Sequence, residues 1–173
     1  MSVLVRSAVV ADAGQIAQIH VDAWRAAYAK IIPRRILDGL SVAGRETQWR
    51  ARLAPTNRGP RTLVAEIDGD VGGFATYSVP SRDADEAADV GEIPALYVSP
   101  TTWRSGLGSA LIEAAATRMA GAGCREGILW MLEGNDAAGF YESSGWDDDG
   151  GRRPSQYFPS EARLVEVRFR RSL

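Results

Sequence analysis

The chain has one cysteine, Cys124, one histidine, His20, and one lysine, Lys30, among 173 residues. A lone cysteine excludes an internal disulfide, and one cysteine with one histidine argues against a zinc site, so no metal is expected. No run approaches the roughly 18 apolar residues that a membrane-spanning helix needs. The N-terminus lacks the basic-then-apolar pattern of a secretory leader, so the expected compartment is the cytoplasm, with no membrane partner. A net charge of −2 argues against a nucleic-acid surface, which usually needs a basic domain. There is no Gly-x-Ser-x-Gly elbow, so a Ser–His hydrolase would have to rest on His20 by itself. On a helix with no visible partner, His20 reads as structural.

What is present is the make-up of a globular protein, with 45% apolar and 24% charged residues. The length suits a single domain, 1–173, that buries roughly 70% of its unfolded surface. Val3 to Arg6 reads as a first strand. A helix opens at Ala11-Asp12-Ala13, with Ile16, Ile19, Ala23 and Ala27 spaced to form its buried side. Trp24 and Tyr28 lie one turn apart on that helix and share a face. Pro33 breaks it, and 34–40 and 44–53 read as a short helix and a longer one. Thr62 to Ile67 and Val71 to Val79 form a hairpin about Asp68-Gly69-Asp70. Gly72-Gly73 inside the second strand points to a bulge or a close backbone contact. Residues 81–89 carry Asp83, Asp85, Glu86 and Asp89 and read as a flexible, solvated loop.

Residues 95–120 organise the rest. Ala95 to Val98 is a short apolar strand, the end of a run from Glu92 in which Pro94 conflicts with a regular central ladder. Pro100 ends it, and Trp103 to Gly108 is a tight glycine-containing turn. Leu107, Leu111, Ala115 and Met119 then recur every four residues, marking one helix face. The unit is strand, Gly-x-Gly turn, helix. The first N–H groups of a helix have no internal partner and carry the positive end of its dipole. Glycines at 106 and 108 let a phosphate approach that backbone, and Arg104 adds a full charge. The dinucleotide fingerprint is excluded because Leu111 stands where a third glycine is required. A P-loop is excluded because Lys30 is the only lysine. Gly121 and Gly123 end the helix, Gly127 to Met131 is a fifth strand, and Asp136 to Ser144 is a short helix stopped by Gly145. Residues 146–151 read as a turn, and Leu164 to Phe169 alternates as a last, half-exposed strand.

Two stretches together carry a family resemblance. The first is Gly91-Glu92-Ile93-Pro94 running into Trp103-Arg104-Ser105-Gly106-Leu107-Gly108-Ser109. The second holds Asn135, Ala138, Phe140, Tyr141 and Gly145-Trp146. In this order and spacing they resemble the acetyl-CoA core of the GCN5-related N-acetyltransferases (GNAT). Trp103 departs from the family's Gln or Arg, and Trp146 stands where Phe is usual. The resemblance implies an α/β (mixed α+β) fold: a twisted, mixed, six- to seven-stranded sheet flanked by helices on both faces, with a splay between strands 4 and 5. It implies a bulge near Pro94, acetyl-CoA as cofactor, and transfer of the acetyl group to a primary amine of a small molecule or peptide by direct attack. It gives the Leu96 N–H to the thioester carbonyl, the Val98 backbone to pantetheine, Tyr97 to the cofactor site, and residues 103–109 to pyrophosphate. It gives Asn135, Ala138 and Phe140 to the rest of the cofactor.

For the chemistry, Tyr141 falls on the family's tyrosine, so the resemblance implies that it is the acid that protonates the leaving thiolate, for which a phenol with a pKa near ~10 is suited. Glu92, four residues before Leu96, stands at the place of the family's strand-borne glutamate, so the resemblance implies that it is the base, directly or through a water. Trp24, Tyr28 and Tyr77 are expected to face the body of the acceptor, which could be a polyamine, an aminoglycoside-like antibiotic, an amino acid or a protein N-terminus. A catalytically silent acyl-CoA-binding module is the alternative from another class. A homodimer through the C-terminal strands rests on family habit, since an edge strand invites pairing.

Overall fold

In the computed structural model, residues 3–155 and 163–173 are described. They build one seven-stranded sheet in the order β1-β2-β3-β4-β5-β7-β6. Strands β1 (Val3–Ser7), β2 (Arg61–Ile67), β3 (Asp70–Ser78) and β4 (Val90–Val98) form an antiparallel meander. Strand β5 (Glu126–Leu132) joins β4 in parallel, as a crossover through helix α4 (Leu107–Gly121) requires. Strand β7 (Val165–Ser172) is antiparallel to β5, and β6 (Asp147–Pro154) lies outside β7 as an edge. This is the mixed α/β sheet that the sequence implied.

Alternation along the strands decides which side chains meet which helix. Leu63, Ala65 and Ala75 point to the face covered by α4, where Leu107, Leu111, Ile112, Ala115 and Met119 are fully buried against them. Val64 and Phe74 point to the opposite face and meet Ile16 and Ile19 of helix α1 (Ala13–Ala27) and Trp49 of helix α3 (Val42–Leu53). The short helix α2 (Arg34–Asp38) bridges α1 and α3. Ser41 caps α3 by accepting the Gly44 N–H at 3.2 Å.

Both irregularities foreseen in the strands are there. Ala65 pairs with Gly73 and Glu66 with Val71, so β3 carries one extra residue at Gly72. A Cβ on Gly72 would stand 2.6 Å from the Leu107 side chain, so the bulge is also a point of close helix–sheet contact. Thr76 pairs with Ala95 and Ser78 with Glu92, so β4 carries one extra residue at Ile93-Pro94. The bulge absorbs the proline that a regular ladder could not hold.

Two expectations are corrected. Residues 147–154 form strand β6, not a turn confined to 146–151. Its residues are charged or small and largely exposed, so no apolar alternation announced it. It is held from outside, by pairing with β7 and by Asp149, which accepts from Arg168 at 2.7 Å and Arg170 at 3.0 Å. The acidic stretch 81–89 is not a free solvated loop. Glu86 accepts from Arg168 and Arg170, both at 2.6 Å, Asp89 pairs with Arg125, and Asp83 lies 3.6 Å from Arg153. The arginines that neutralise it come from β5's approach and from β6 and β7, far away in sequence.

Candidate active site

The site begins where two strands part. The parallel pairing of β4 and β5 runs from Val90/Glu126 only to Ile93/Leu129. Beyond the bulge at Ile93-Pro94, β4 continues beside β3 alone. The Ser99 N–H donates to the Gly72 carbonyl at 2.8 Å. In an antiparallel ladder bonded and non-bonded positions alternate, so the N–H and C=O groups of Val98 and Leu96 face away from β3, into the gap. An extended ligand could pair with that edge as an added strand.

The gap opens into a cleft of about 570 Å³, within the size range of cofactor sites. At one end stands the turn before α4. Gly106 is the helix N-cap, with φ +85°, and beyond its own chain neighbours no atom of the described residues lies within 4 Å of where its Cβ would be. Glycine is thus required for the conformation, and the space over the first N–H groups of α4 is open. Arg104 also has positive φ, +63°. Trp103, half exposed, donates its indole N–H to the Val98 carbonyl at 2.9 Å and so occupies one polar group of the open edge. Ser105 turns back to the Thr102 carbonyl at 2.5 Å.

Helix α5 (Ala138–Ser143) supplies the far wall. Asn135 accepts the Ala137 N–H at 2.9 Å, starting the turn that leads into it. Phe140 packs close to α4: a Cβ on Gly108 would stand 3.3 Å from its ring. Tyr141 is buried beside Phe140 and Phe169 and also lines the cleft. Burial, with the nearby Tyr28 phenol adding to it, pushes its hydroxyl well above the ordinary tyrosine range, so it stays protonated at neutral pH.

Of the residues read from the sequence, the structure gathers Leu96, Tyr97, Val98, Trp103, Arg104, Gly106, Leu107, Gly108, Ser109, Asn135, Phe140 and Tyr141 around this cleft, with Tyr28 across from them. Ser105 and Ala138 are adjacent in sequence but do not line it; Ala137 does. Trp24 lines a small side chamber that shares Tyr28, Pro94, Tyr97, Trp130 and Met131 with the cleft. Tyr77 lines neither, because its side chain packs against the core under α4. Glu92 also lines neither. The residue is 3% exposed, and its carboxylate accepts from the Arg82 guanidinium at 2.7 and 3.1 Å and from the Arg82 backbone N–H at 2.9 Å.

His20 is kept from acid–base work. It is 6% exposed, stacks on Tyr97 with ring centroids 5.3 Å apart, and accepts the Trp49 indole N–H on Nδ1 at 3.2 Å. Burial, with Arg45 and Arg52 adding positive charge nearby, lowers its pKa to about 3, so the ring is neutral. Sequence reading missed Ala23, Ala26 and Ala27 on α1 and Trp130 and Met131 on β5 as wall residues. That 127–131 is a strand was legible, but which of its faces meets the gap depends on where the β4 pairing stops.

Among the described residues no three His, Cys, Asp or Glu side chains converge so as to hold a metal, and no helix is long and apolar enough to cross a membrane.

Comparison with known proteins agrees with this geometry. A sequence model described as the acetyltransferase (GNAT) family matches residues 16–146. An uncharacterized N-acetyltransferase of Bacillus subtilis, YuaI, is 34% identical over 142 residues, which cover 82% of this chain and 78% of that one. Among solved structures, the PaiA N-acetyltransferase of Thermoplasma acidophilum in complex with coenzyme A superposes with a TM-score of 0.75 over the full length of both chains at 17% identity. A ribosomal-protein-alanine N-acetyltransferase of Brucella melitensis superposes at 0.72, with 23% identity over 98% of this chain and 99% of that one. The chain is thus a member of the GNAT family of acetyltransferases, whose co-substrate is acetyl-CoA.

Proposed function

We propose that this protein transfers the acetyl group of acetyl-CoA to a primary amine by direct attack within the cleft between β4, β5 and α1. The observation that carries this is the open edge of β4 at Leu96 and Val98, which leads directly to the uncovered N-terminus of α4 at Gly106. One continuous path thus offers peptide-like hydrogen bonds to an extended chain and backbone N–H groups to an anion. Acetyl-CoA supplies the activated acyl group. The Leu96 N–H faces the gap and would donate to the thioester oxygen, where negative charge develops as the amine attacks. The C–S bond breaks as the N–C bond forms, and the Tyr141 hydroxyl would give its proton to the sulfur.

The amine must also lose a proton. Because Glu92 is enclosed by Arg82 and lines neither cavity, water in the cleft is the better acceptor. In this reading Glu92 acts at one remove, fixing the bulged end of β4 and the 81–89 segment through Arg82.

Thermal melting with and without acetyl-CoA tests the binding half. A ligand at 100 times its dissociation constant adds about 2.7 kcal/mol, a shift of several degrees at this size. Thiol release on adding amines tests the transfer half. A shift without thiol release from any amine would favour a silent binding module instead.

A further inference from the structure

Resting on the transfer reading above, we infer that the acceptor is a small primary amine on an apolar, flat body that carries no second charge. Beyond the residues that face the slot and the loop, the cleft is walled by Ala23, Ala26, Ala27 and Tyr28 of α1 and by Trp130 and Met131 of β5. None is charged. Of the charged residues that line the cleft, Arg104 belongs to the turn before α4 and Asp136 to the turn before α5; neither is on α1 or β5. Three alanines leave width on the α1 side, while Tyr28 and Trp130 offer flat surfaces on which a ring can pack.

The carboxylate beside this half of the cleft is already matched. The side chamber, about 20 Å³ and so room for little more than one water, has a single carboxylate in its wall, Glu166. Glu166 is 1% exposed and accepts from Arg153 at 2.7 Å and Ser155 at 3.1 Å. Arg153 in turn lies 4.0 Å over the Trp130 ring, and Arg168 lies 5.4 Å from the same ring. Of the four acids of 83–89, which could have drawn in a polycation, Asp83, Glu86 and Asp89 are engaged by Arg153, Arg168, Arg170 and Arg125. A second ammonium or a carboxylate on the acceptor would therefore enter this half of the cleft without an opposite charge to meet it, and burying it so is costly.

The test compares kcat/KM for 2-phenylethylamine, phenylalanine and spermidine at saturating acetyl-CoA. The first two share a ring and an amine and differ by a carboxylate; the third adds cationic amines. The expected result is a preference of about 100-fold or more for 2-phenylethylamine over each of the others. Equal or better use of phenylalanine or spermidine overturns the inference. A second measurement uses Ala26→Glu, an exposed helix position, so that the fold is kept. It should narrow the gap between 2-phenylethylamine and spermidine by about 10-fold, with the acetyl-CoA melting shift retained; an unchanged ratio also overturns the inference. If the wild type binds acetyl-CoA but acetylates none of the three nor any amine in a wider screen, the transfer reading itself fails, and the acceptor class falls with it.

Discussion

Stability should fall between pH 7 and pH 5 because of one residue, His20. In the unfolded chain its pKa is 6.5, whereas in the fold it is about 3. The neutral ring is what the fold accepts: burial is the main cause, and the charges of Arg45 and Arg52 add to it. A group whose folded pKa is depressed contributes fully above its unfolded pKa, and that contribution is lost as pH falls towards the folded value. With these two values the loss is about 2 kcal/mol from pH 7 to pH 5 and about 3 kcal/mol by pH 4. For a chain of this length 2 kcal/mol corresponds to a melting shift of about 4–8 °C. Carboxylates held by arginines titrate lower and interfere little in this window: Arg6 holds Asp12 below its usual range, and Arg152 holds Asp148 at about 2. The assay is urea or thermal unfolding at pH 7, 6 and 5 of the wild type and of His20→Asn. The asparagine amide can still accept the Trp49 indole N–H but does not titrate. The variant should be less stable at pH 7, having lost the stacking on Tyr97, yet nearly flat from pH 7 to pH 5. A wild type that is flat over that range, or a variant with the same slope, would refute the assignment.

The remaining predictions concern the site and its frame. Tyr141→Phe should lower turnover about 10-fold or more with acetyl-CoA affinity nearly kept, and unchanged turnover would remove the acid role. Because that phenol is pushed up by burial, no alkaline loss of activity below about pH 10 should trace to it, as a pH–rate profile of the wild type would check. Gly106→Val should abolish the acetyl-CoA melting shift, since a branched residue resists φ +85° and its side chain would fill the open space over α4; a wild-type shift would mean that the anion site lies elsewhere. Gly72→Ala should cost about 1–3 kcal/mol in denaturant unfolding, because its Cβ would stand 2.6 Å from Leu107 in a filled core. Glu92→Gln should preserve the acidic limb of the pH–rate profile; loss of that limb would restore Glu92 as the direct base.

The sequence by itself determined most of the frame. The four-residue spacing of Leu107, Leu111, Ala115 and Met119 places α4's buried face, and Gly106 before it marks a turn that only glycine takes easily. Gly72-Gly73 and Pro94 announced two bulges, because each residue type conflicts with a regular ladder in a known way. These are local signals: steric limits on one residue, or periodicity within one element. Long-range pairing decided the rest. Strand β6 is polar and exists because β7 lies beside it. Asp83, Glu86 and Asp89 look solvated in the sequence and are instead tied down by Arg125, Arg153, Arg168 and Arg170. Glu92 looks free along the chain, but its carboxylate is bound by Arg82, and Tyr77 packs against the core. A charge's role depends on which opposite charge the fold brings within reach, and no spacing along the chain encodes that distance. The open edge at Leu96 and Val98 is of the same kind, since it exists only because β5 diverges from β4 after Ile93, and that divergence makes the cleft.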